Sequence, residues 1–332
     1  MERVLVTGCT GFIGLHCVVQ LISKGFKVRG TLRSVKRKSE VVGAVLNAGL
    51  STDNLEFVEI NLLDDSGWLE AVKDCAYVLH VASPTSSTLE GDMVKIAVEG
   101  TKRVLWACSR ANIKKIVITS SLAAVTGCDI SEKKFNERDW ADPLHPEIDA
   151  YTKSKVAAEL AAWDFMSHIS PLCKMKLTVI IPSAVSGPML SEDVGNSNQF
   201  IHKLINGTTR GVVNLSIGWT DVRDVARAHI EALHLETLDG ERIILCERTM
   251  WVREIVQILK DNNFSGLPAF TWPNFIFQFS LFQTQSTLDR KMIGKKRVIS
   301  NAKSLKFFTW KFIDARQSII ETAKQLQKMN LK

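Results

Sequence analysis

A tyrosine and a lysine stand four residues apart in the segment Tyr151-Thr152-Lys153-Ser154-Lys155. Four residues is about one helical turn, so the phenol and the ammonium share a face if the segment is helical. A cation in that position can lower a phenol pKa of ~10 toward the working pH. The spacing predicts that Tyr151 donates and accepts a proton beside Lys155. The only other tyrosine, Tyr77, belongs to the strand-like run 77–81.

Three glycines follow the first apolar run of the chain. Val4-Leu5-Val6 leads into Gly8, Gly11 and Gly14. A glycine turn between a strand and a helix lets backbone N–H groups approach a phosphate at the helix N-terminus. The spacing G-x-x-G-x-x-G departs from the G-x-G-x-x-G of typical dehydrogenases, but its place after a strand predicts a seat for a dinucleotide pyrophosphate. With the Tyr–Lys pair, it predicts a nicotinamide-dependent oxidoreductase.

The end of the second predicted strand indicates which nicotinamide cofactor is used. Enzymes that prefer NAD usually place Asp or Glu there, ~20 residues beyond the glycines, to bind the ribose 2'-hydroxyl. Here the segment 31–33 ends in Arg33, and Lys36, Arg37 and Lys38 follow. Such a cluster can pair with a 2'-phosphate, so NADP(H) is predicted, although a solvated Arg33 is the alternative.

Two serines follow the run Lys115 to Thr119, at a carboxyl strand end where open α/β sheets bind ligands. A hydroxyl there can donate to a substrate carbonyl. Ser121 is predicted to polarise the substrate, with Ser120 as the alternative, because the sequence does not separate adjacent serines. His80 and His229 lie in apolar elements without a convergent carboxylate or metal partner, so we interpret them as core or surface histidines.

Strand-like runs alternate with amphipathic helical stretches through the first half, which predicts βαβ units. The expected fold is α/β, a Rossmann-type doubly wound parallel sheet with a smaller C-terminal substrate lobe. Residues 1–182 are predicted to form the NADP-binding domain, to which 213–248 returns, and 183–332 to form mainly the substrate lobe. The predicted strands are Arg3 to Thr7, Lys27 to Leu32, Leu55 to Asn61, Tyr77 to Val81, Lys115 to Thr119, Leu177 to Ile181 and Arg242 to Cys246.

Composition favours an ordinary globular protein, since 45% of the 332 residues are hydrophobic. Met1-Glu2-Arg3 runs directly into the first strand, so no secretory signal is expected. The seven cysteines are scattered and form no C-x-x-C pair, so a cytoplasmic protein without disulfides or a metal site is predicted. The apolar stretch Phe275 to Phe282 is far shorter than the ~20 residues that cross a bilayer.

The net charge of +7 comes from one segment. Between Asp289 and Lys311 there are eight lysines and arginines against one aspartate, so the rest of the chain is formally neutral. We interpret the segment as a solvated basic face rather than as a nucleic-acid or membrane contact.

Several stretches resemble the extended short-chain dehydrogenases/reductases, in particular the dihydroflavonol reductase-like group with cinnamoyl-CoA, anthocyanidin and aldehyde reductases. They are Val4 through Gly14, Val81-Ala82-Ser83-Pro84, Ala97 to Thr101, Val117 to Ser121, Glu137 to Trp140, Tyr151 to Lys155, Pro182 with Gly187-Pro188, and Asp221 to Ala226. The resemblance implies a catalytic triad of Ser121, Tyr151 and Lys155. The cofactor-binding residues expected are Gly8, Thr10, Gly11, Phe12, Ile13, Gly14, Arg33, Lys38, Asn61, Leu62, Val81, Ala82, Ser83, Tyr151, Lys155, Pro182, Ser183 and Val185.

Three positions depart from that group. Asn61-Leu62 stands where Asp-Leu is usual, and Thr126 stands where plant dihydroflavonol reductases carry Asn or Asp. His145 to Ala150 replaces the aromatic-rich segment of cinnamoyl-CoA reductases. A plant flavonoid or phenylpropanoid substrate is therefore not expected.

The expected function is an NADPH-dependent carbonyl reductase that binds a medium-sized apolar carbonyl or alcohol and no nucleic acid, as a monomer or homodimer. A hydroxysteroid dehydrogenase or sugar-nucleotide epimerase would use the same triad, but such relatives commonly bind NAD. A non-catalytic NADP-sensing protein is a third reading, against which the Tyr–Lys pair argues. The expected substrate walls are Leu122, Ala123, Val125, Thr126, Met189, Leu190 and the segment 275–282.

Overall fold

The computed structural model describes residues 1–84, 92–275 and 291–329, and its largest element is a seven-stranded sheet. The strand order is β11-β7-β5-β4-β1-β2-β3, and all six neighbouring pairs are parallel. The strands are β1 (Arg3–Thr7), β2 (Lys27–Leu32), β3 (Leu55–Glu59), β4 (Tyr77–His80), β5 (Lys115–Thr119), β6 (Lys134–Phe135), β7 (Lys176–Pro182), β8 (Ala184–Ser186), β9 (Gly211–Val212), β10 (Ser216–Asp221), β11 (Glu241–Leu245), β12 (Arg248–Trp251), β13 (Phe270–Thr271) and β14 (Val298–Ile299).

Helices cover both faces of this sheet. Two short 3-10 helices, Val35–Arg37 and Glu236–Leu238, lie between them along the chain. The helices are α1 (Phe12–Ser23), α2 (Lys38–Asn47), α3 (Trp68–Val72), α4 (Met93–Arg110), α5 (Ala123–Thr126), α6 (Ala150–His168), α7 (Asn196–Ile205), α8 (Val222–Ala232), α9 (Val252–Asp261), α10 (Ala302–Phe307) and α11 (Ala315–Lys328). None of the helices in the described ranges is long and apolar enough to cross a membrane.

The order of the strands places a crevice at one edge of the sheet. The chain forms β1, β2 and β3 in one direction and then returns to the other side of β1 to form β4. Helices that leave neighbouring strands in opposite directions open a ligand-binding crevice at their carboxyl ends. The predicted Rossmann-type doubly wound sheet is confirmed.

The two sides of β1 belong to different cores. Val4 and Val6 pack in a cluster with residues of α1 and α8, whereas Leu5 packs in a cluster with residues of α4 and α6. All three side chains are fully buried, because a central parallel strand is covered on both faces. The continuous apolar run that signalled this strand in the sequence has this physical origin.

A third core lies beyond β7. Strands β8, β10 and β12 form a small sheet, and Trp219 of β10 packs with apolar residues of α7, α9 and α11. The segment Ser183 to Pro188 contains the strand β8. Helix α11 fixes the end of this segment through side-chain hydrogen bonds. They join Ser318 Oγ to Ser186 Oγ (2.7 Å), Gly187 N to Thr322 Oγ1 (2.7 Å) and Met189 N to Gln325 Oε1 (2.7 Å).

Candidate active site

The glycine turn between β1 and α1 is closely packed. Gly8 has φ +67°, and a Cβ there would lie 3.0 Å from Ala82 Cα. A Cβ on Gly14 would lie 2.3 Å from the Gly8 carbonyl oxygen. Gly11 is the N-cap of α1 and no side chain caps the helix through a hydrogen bond, so backbone N–H groups of its first turn are left for a ligand. This cradle fits a pyrophosphate.

A cleft of about 910 Å³ extends from this turn along the carboxyl edge of the sheet. Its volume is at the upper end for ligand sites, as a dinucleotide requires. All of the expected cofactor-binding residues except Lys38 line it. They are Gly8, Thr10, Gly11, Phe12, Ile13, Gly14, Arg33, Asn61, Leu62, Val81, Ala82, Ser83, Tyr151, Lys155, Pro182, Ser183 and Val185.

The cationic end of the cleft differs from the sequence prediction by one residue. Arg33 and Arg37 line the cleft, but Lys38 does not. The ammonium of Lys38 lies over the Phe57 ring, 5.4 Å from its centroid. Arg37 ends a 3-10 helix and Lys38 begins α2, so the two neighbours point in different directions. Arg37, not Lys38, is the second cation at this end.

Arg37 is held in place by its own surroundings. Its Nε and Nη2 donate to the two carboxylate oxygens of Glu40, each at 2.7 Å, and Nη2 also lies 3.5 Å from the Thr10 carbonyl oxygen. The hydrogen bonds to Glu40 keep the pKa of Arg37 above its ordinary value. The guanidinium is thus oriented before any ligand arrives.

A threonine–histidine pair supports the turn after β4. The Thr7 hydroxyl accepts hydrogen bonds from Val81 N (3.1 Å) and Ala82 N (3.0 Å) and therefore donates its proton to His80 Nδ1 (2.9 Å). Burial, with a smaller effect of the Lys155 charge, lowers the pKa of His80 to about 3. His80 is a neutral core residue, in agreement with its interpretation from the sequence.

Tyr151 and Lys155 occupy the first turns of α6 and face the same cleft. Asp149 begins this helix, because its carboxylate accepts from Thr152 N at 2.9 Å and from Thr152 Oγ1 at 2.6 Å. The Lys155 ammonium lies 5.7 Å from the centroid of the Tyr151 ring. The shared helix face that the spacing indicated is therefore present.

The two serines after β5 have different partners. Ser120 Oγ donates to the buried carboxylate of Glu159. Both serines line the cleft, and Ser121 Oγ accepts from Ala123 N at 3.2 Å, which leaves its own proton available to a ligand. The hydrogen bonds thus favour Ser121 over Ser120 as a donor toward the cleft.

None of the described residues of the expected substrate walls is among the residues that line this cleft. Val125 and Thr126 are buried beside β5, and Met189 is buried in the core of the second lobe, so these three were assigned to the wall wrongly. Leu122 and Ala123 are half-buried. Residues 276–282 of the expected apolar wall lie outside the described residues.

Asp193 is a cleft residue that the sequence analysis missed. Its Oδ1 accepts from Gly195 N at 3.1 Å, and a Cβ on Gly11 would lie 4.0 Å from its Oδ2. Gly195 in turn packs on Phe12. This loop reaches the glycine turn from a point far along the chain, so no local pattern announced it. Trp68 and Gln199 line the cleft as well.

Fold and site together define a dinucleotide-binding α/β protein with a Tyr–Lys pair at the carboxyl edge of its sheet. Residues 4–246 match the model of the NAD dependent epimerase/dehydratase family, and the chain belongs to this family.

Named relatives extend the comparison. Cinnamoyl-CoA reductase 1 of Petunia hybrida is 32% identical over 332 residues, covering 98% of this chain and 92% of that protein. The NADPH-dependent methylglyoxal reductase of Saccharomyces cerevisiae is 29% identical over 348 residues, covering 98% of both chains. The crystal structure of the yeast methylglyoxal/isovaleraldehyde reductase complexed with NADPH has a TM-score of 0.83 at 26% identity, covering 99% of both chains. The predicted extended short-chain reductase family is confirmed, and these relatives agree with the predictions of an oxidoreductase and of NADP(H).

Proposed function

We propose that the chain is an NADPH-dependent reductase of medium-sized apolar aldehydes or ketones. The observation that carries this proposal is that Ser121, Tyr151 and Lys155 line one cleft with the glycine turn. The names of the relatives support the same reaction class, since they act on methylglyoxal, isovaleraldehyde or a cinnamoyl thioester.

Each side chain of the triad has one task. Bound NADPH supplies the hydride that reaches the carbonyl carbon. Ser121 donates a hydrogen bond to the carbonyl oxygen and stabilises the negative charge that develops there. Tyr151 delivers the proton to that oxygen as the general acid. Lys155 binds the ribose hydroxyls and stabilises the phenolate that remains on Tyr151.

The rest of the cleft selects the cofactor. The uncapped N-terminus of α1 binds the pyrophosphate, and Arg33 and Arg37 bind the 2'-phosphate. No carboxylate follows β2 until Glu40, which is paired with Arg37. A ribose 2'-hydroxyl would offer no negative charge to Arg33 and Arg37, whereas a 2'-phosphate would, so NADP(H) fits better than NAD(H).

The substrate binds beside Ser121 and Tyr151. Residues 183–332 form mainly the lobe that binds it. Apolar burial provides most of its binding, because each added methylene contributes about 0.8 kcal/mol, roughly a fourfold change in an equilibrium or rate constant. Orientation is left to the hydroxyls of Ser121 and Tyr151.

The test is a substrate series followed through the absorbance of NADPH. Methylglyoxal, isovaleraldehyde and a homologous series of straight-chain aldehydes are compared with a steroid ketone, a UDP-sugar and a CoA thioester. We expect kcat/KM to rise with chain length until the pocket is full. A flat or falling trend, or a preference for the UDP-sugar or the thioester, would contradict the apolar-carbonyl proposal.

A further inference from the structure

A buried carboxylate lies directly behind the proposed triad. Glu159 is one helical turn beyond Lys155 on α6 and is only 2% exposed. Its oxygens accept from Ser120 Oγ, from Trp163 Nε1 at 3.3 Å and from Arg242 Nε at 2.6 Å. Glu159 thus connects the helix that carries Tyr151 and Lys155 with the strand end that carries the serines.

Arg242 clamps this carboxylate from the edge strand β11. Its Nε and Nη2 face the two oxygens of Glu159. Its Nη1 donates to the carbonyl oxygens of Glu137 (2.7 Å) and Asp139 (2.8 Å), and the guanidinium stacks on Trp140 at 3.5 Å from the ring centroid. With 7% exposure, the cation is buried as well. Helix α6, strand β11 and the loop 137–140 therefore meet in one fully hydrogen-bonded network.

Stability alone does not explain such a pair. Removing two charges from water is costly, and an apolar pair of the same volume is often equally stable. What a fork between a guanidinium and a carboxylate adds is direction, because its planar geometry fixes where each oxygen points. In this structure one of the fixed oxygens receives the Ser120 hydroxyl.

The direction of Ser120 determines that of its neighbour. Adjacent side chains at the end of a strand point to opposite sides. Both serines line the cleft, but with Ser120 Oγ bound to Glu159 only the Ser121 hydroxyl keeps its proton for a ligand there. Glu159 and Lys155 also line the same small cavity of about 20 Å³, so a shift of the carboxylate would reach the ammonium as well.

We propose that Glu159, clamped by Arg242, is a positioning residue for Ser121 and Lys155. The inference rests on the proposed triad and adds a requirement to it: the Ser121 hydroxyl and the Lys155 ammonium keep their directions only while this buried pair is intact. Glu159 itself does not touch the substrate.

The experiment compares Glu159→Gln with a matched variant, Lys115→Met. Lys115 begins the same strand β5, is 4% exposed and pairs with Asp239 at 2.6 Å, but it does not line the cleft. We expect Glu159→Gln to lower kcat by about 10- to 100-fold with KM for NADPH within about threefold, since a displacement of ~1 Å costs up to that much. Lys115→Met should lower the melting temperature about as much as Glu159→Gln does. It should leave kcat within about twofold of the wild-type value. A kcat loss of equal size in both variants would overturn the proposal.

A double-mutant cycle that combines Glu159→Gln with Ser120→Ala is a second test. The Ser120→Ala variant alone tests the proposal even if Glu159→Gln folds poorly. Ser120→Ala alone should lower kcat without changing KM for NADPH, and the double variant should be no slower than the slower single variant. Wild-type kcat in Ser120→Ala, or additive losses in the double variant, would overturn the proposal.

The failure of the positioning role can be distinguished from the failure of the triad. Tyr151→Phe is assayed in parallel; if it is active, the triad is wrong, whereas an inactive Tyr151→Phe beside a fully active Glu159→Gln removes only the positioning role. If the wild type reduces no carbonyl, crystal structures of the wild type and Ser120→Ala decide. An unchanged Ser121 Oγ position would then overturn the proposal, and a displacement of about 1 Å would support it.

Discussion

Arg297 donates a hydrogen bond to the hydroxyl of Thr126 at 3.3 Å, across 171 positions of the chain. The same guanidinium donates to the carbonyl oxygens of Gly127 (2.9 Å) and Asp129 (3.1 Å). Strand β14, which begins at the residue after Arg297, pairs with β6. The prediction of a merely solvated basic face is therefore wrong for several cations of this segment. Internal contacts join Lys291 to Glu147, Lys295 to the Ile130 carbonyl oxygen and Lys303 to Glu241.

Arg297→Met should weaken substrate binding more than cofactor binding. The turn 126–129 follows α5, which begins two residues after Ser121, and it loses three hydrogen bonds in this variant. We expect KM for the aldehyde to rise severalfold, KM for NADPH to stay unchanged, and the free energy of unfolding to fall by about 1–3 kcal/mol. Lys303→Met, which breaks a more exposed ion pair, should change the free energy of unfolding by less than about 1 kcal/mol. Equal effects on both KM values would contradict this.

Tyr151→Phe should lower kcat by about 10²- to 10⁴-fold, the usual contribution of a general acid, while the Kd for NADPH remains within about twofold. The ring still packs, and only the proton donor is lost. Lys155→Ala should impair both turnover and cofactor binding. Tyr77→Phe is the control, because this buried tyrosine lies on β4 with its ring against His234. Near-wild-type kcat in Tyr151→Phe would show that the triad assignment is wrong.

Arg33→Ala should weaken NADPH binding by roughly tenfold or more and leave NADH binding nearly unchanged. Hydrogen bonds between charged groups contribute about 1.5–3 kcal/mol, and a 2'-phosphate is absent from NADH. Isothermal titration calorimetry measures the Kd for NADPH and for NADH. Lys38→Ala serves as the matched control and should keep both affinities, because Lys38 lies over Phe57 outside the cleft. An equal loss for NADPH and NADH in Arg33→Ala would rule out 2'-phosphate recognition by this residue.

Acidification should unfold the protein partly through His229. Its Nδ1 donates to the Val225 carbonyl oxygen at 2.7 Å, so Nε2 of the neutral ring accepts from the Thr119 hydroxyl at 2.7 Å, and burial lowers the pKa of His229 to about 4. The unfolded chain binds this proton near pH 6.5, so stability is lost as pH falls from 6.5 toward 4, by about 3 kcal/mol in full. Urea unfolding at pH 7 and pH 5 should show a smaller acid loss in His229→Gln than in the wild type. The same loss in both would contradict it.

Protonation of Asp224 should stabilise the protein on acidification, which is the opposite of the effect of His229. Burial raises the pKa of its carboxyl to about 6, against a hydrogen bond from Ile313 N at 2.7 Å that lowers it. A raised carboxyl pKa contributes stability below about pH 4 that is lost as pH rises through 6. Asp224→Asn should therefore remove a gain on acidification, so that the variant loses more stability than the wild type between pH 7 and pH 5. A smaller loss would show that the carboxyl is ionised throughout this range.

Local pattern was sufficient for the parts of the fold that are built locally. The bounds of β1 and β5 match the prediction residue for residue, because each is a short apolar run rich in β-branched residues that ends at a turn-forming glycine or serine. The direction of a side chain depends on more than pattern, so Lys38 was chosen where Arg37 faces the cleft. Contacts between distant segments, such as Asp193 at the glycine turn and Arg242 on Glu159, left no local signal. The cytoplasmic location and the monomeric or dimeric state stay predictions.

Helix α11 gives the protein a particular order of assembly during translation. Its side chains hydrogen-bond to the Ser186 hydroxyl and to the backbone N–H groups of Gly187 and Met189, just past the cleft residue Val185. This helix leaves the ribosome long after the seven strands of the main sheet. A nascent chain can therefore form the main sheet before helix α11 hydrogen-bonds to residues 186–189. During that time one side of the cleft is not yet held in place. Chaperones should bind the nascent chain most during that interval. A chain truncated before α11 should fold its main sheet but bind ligands in the cleft weakly.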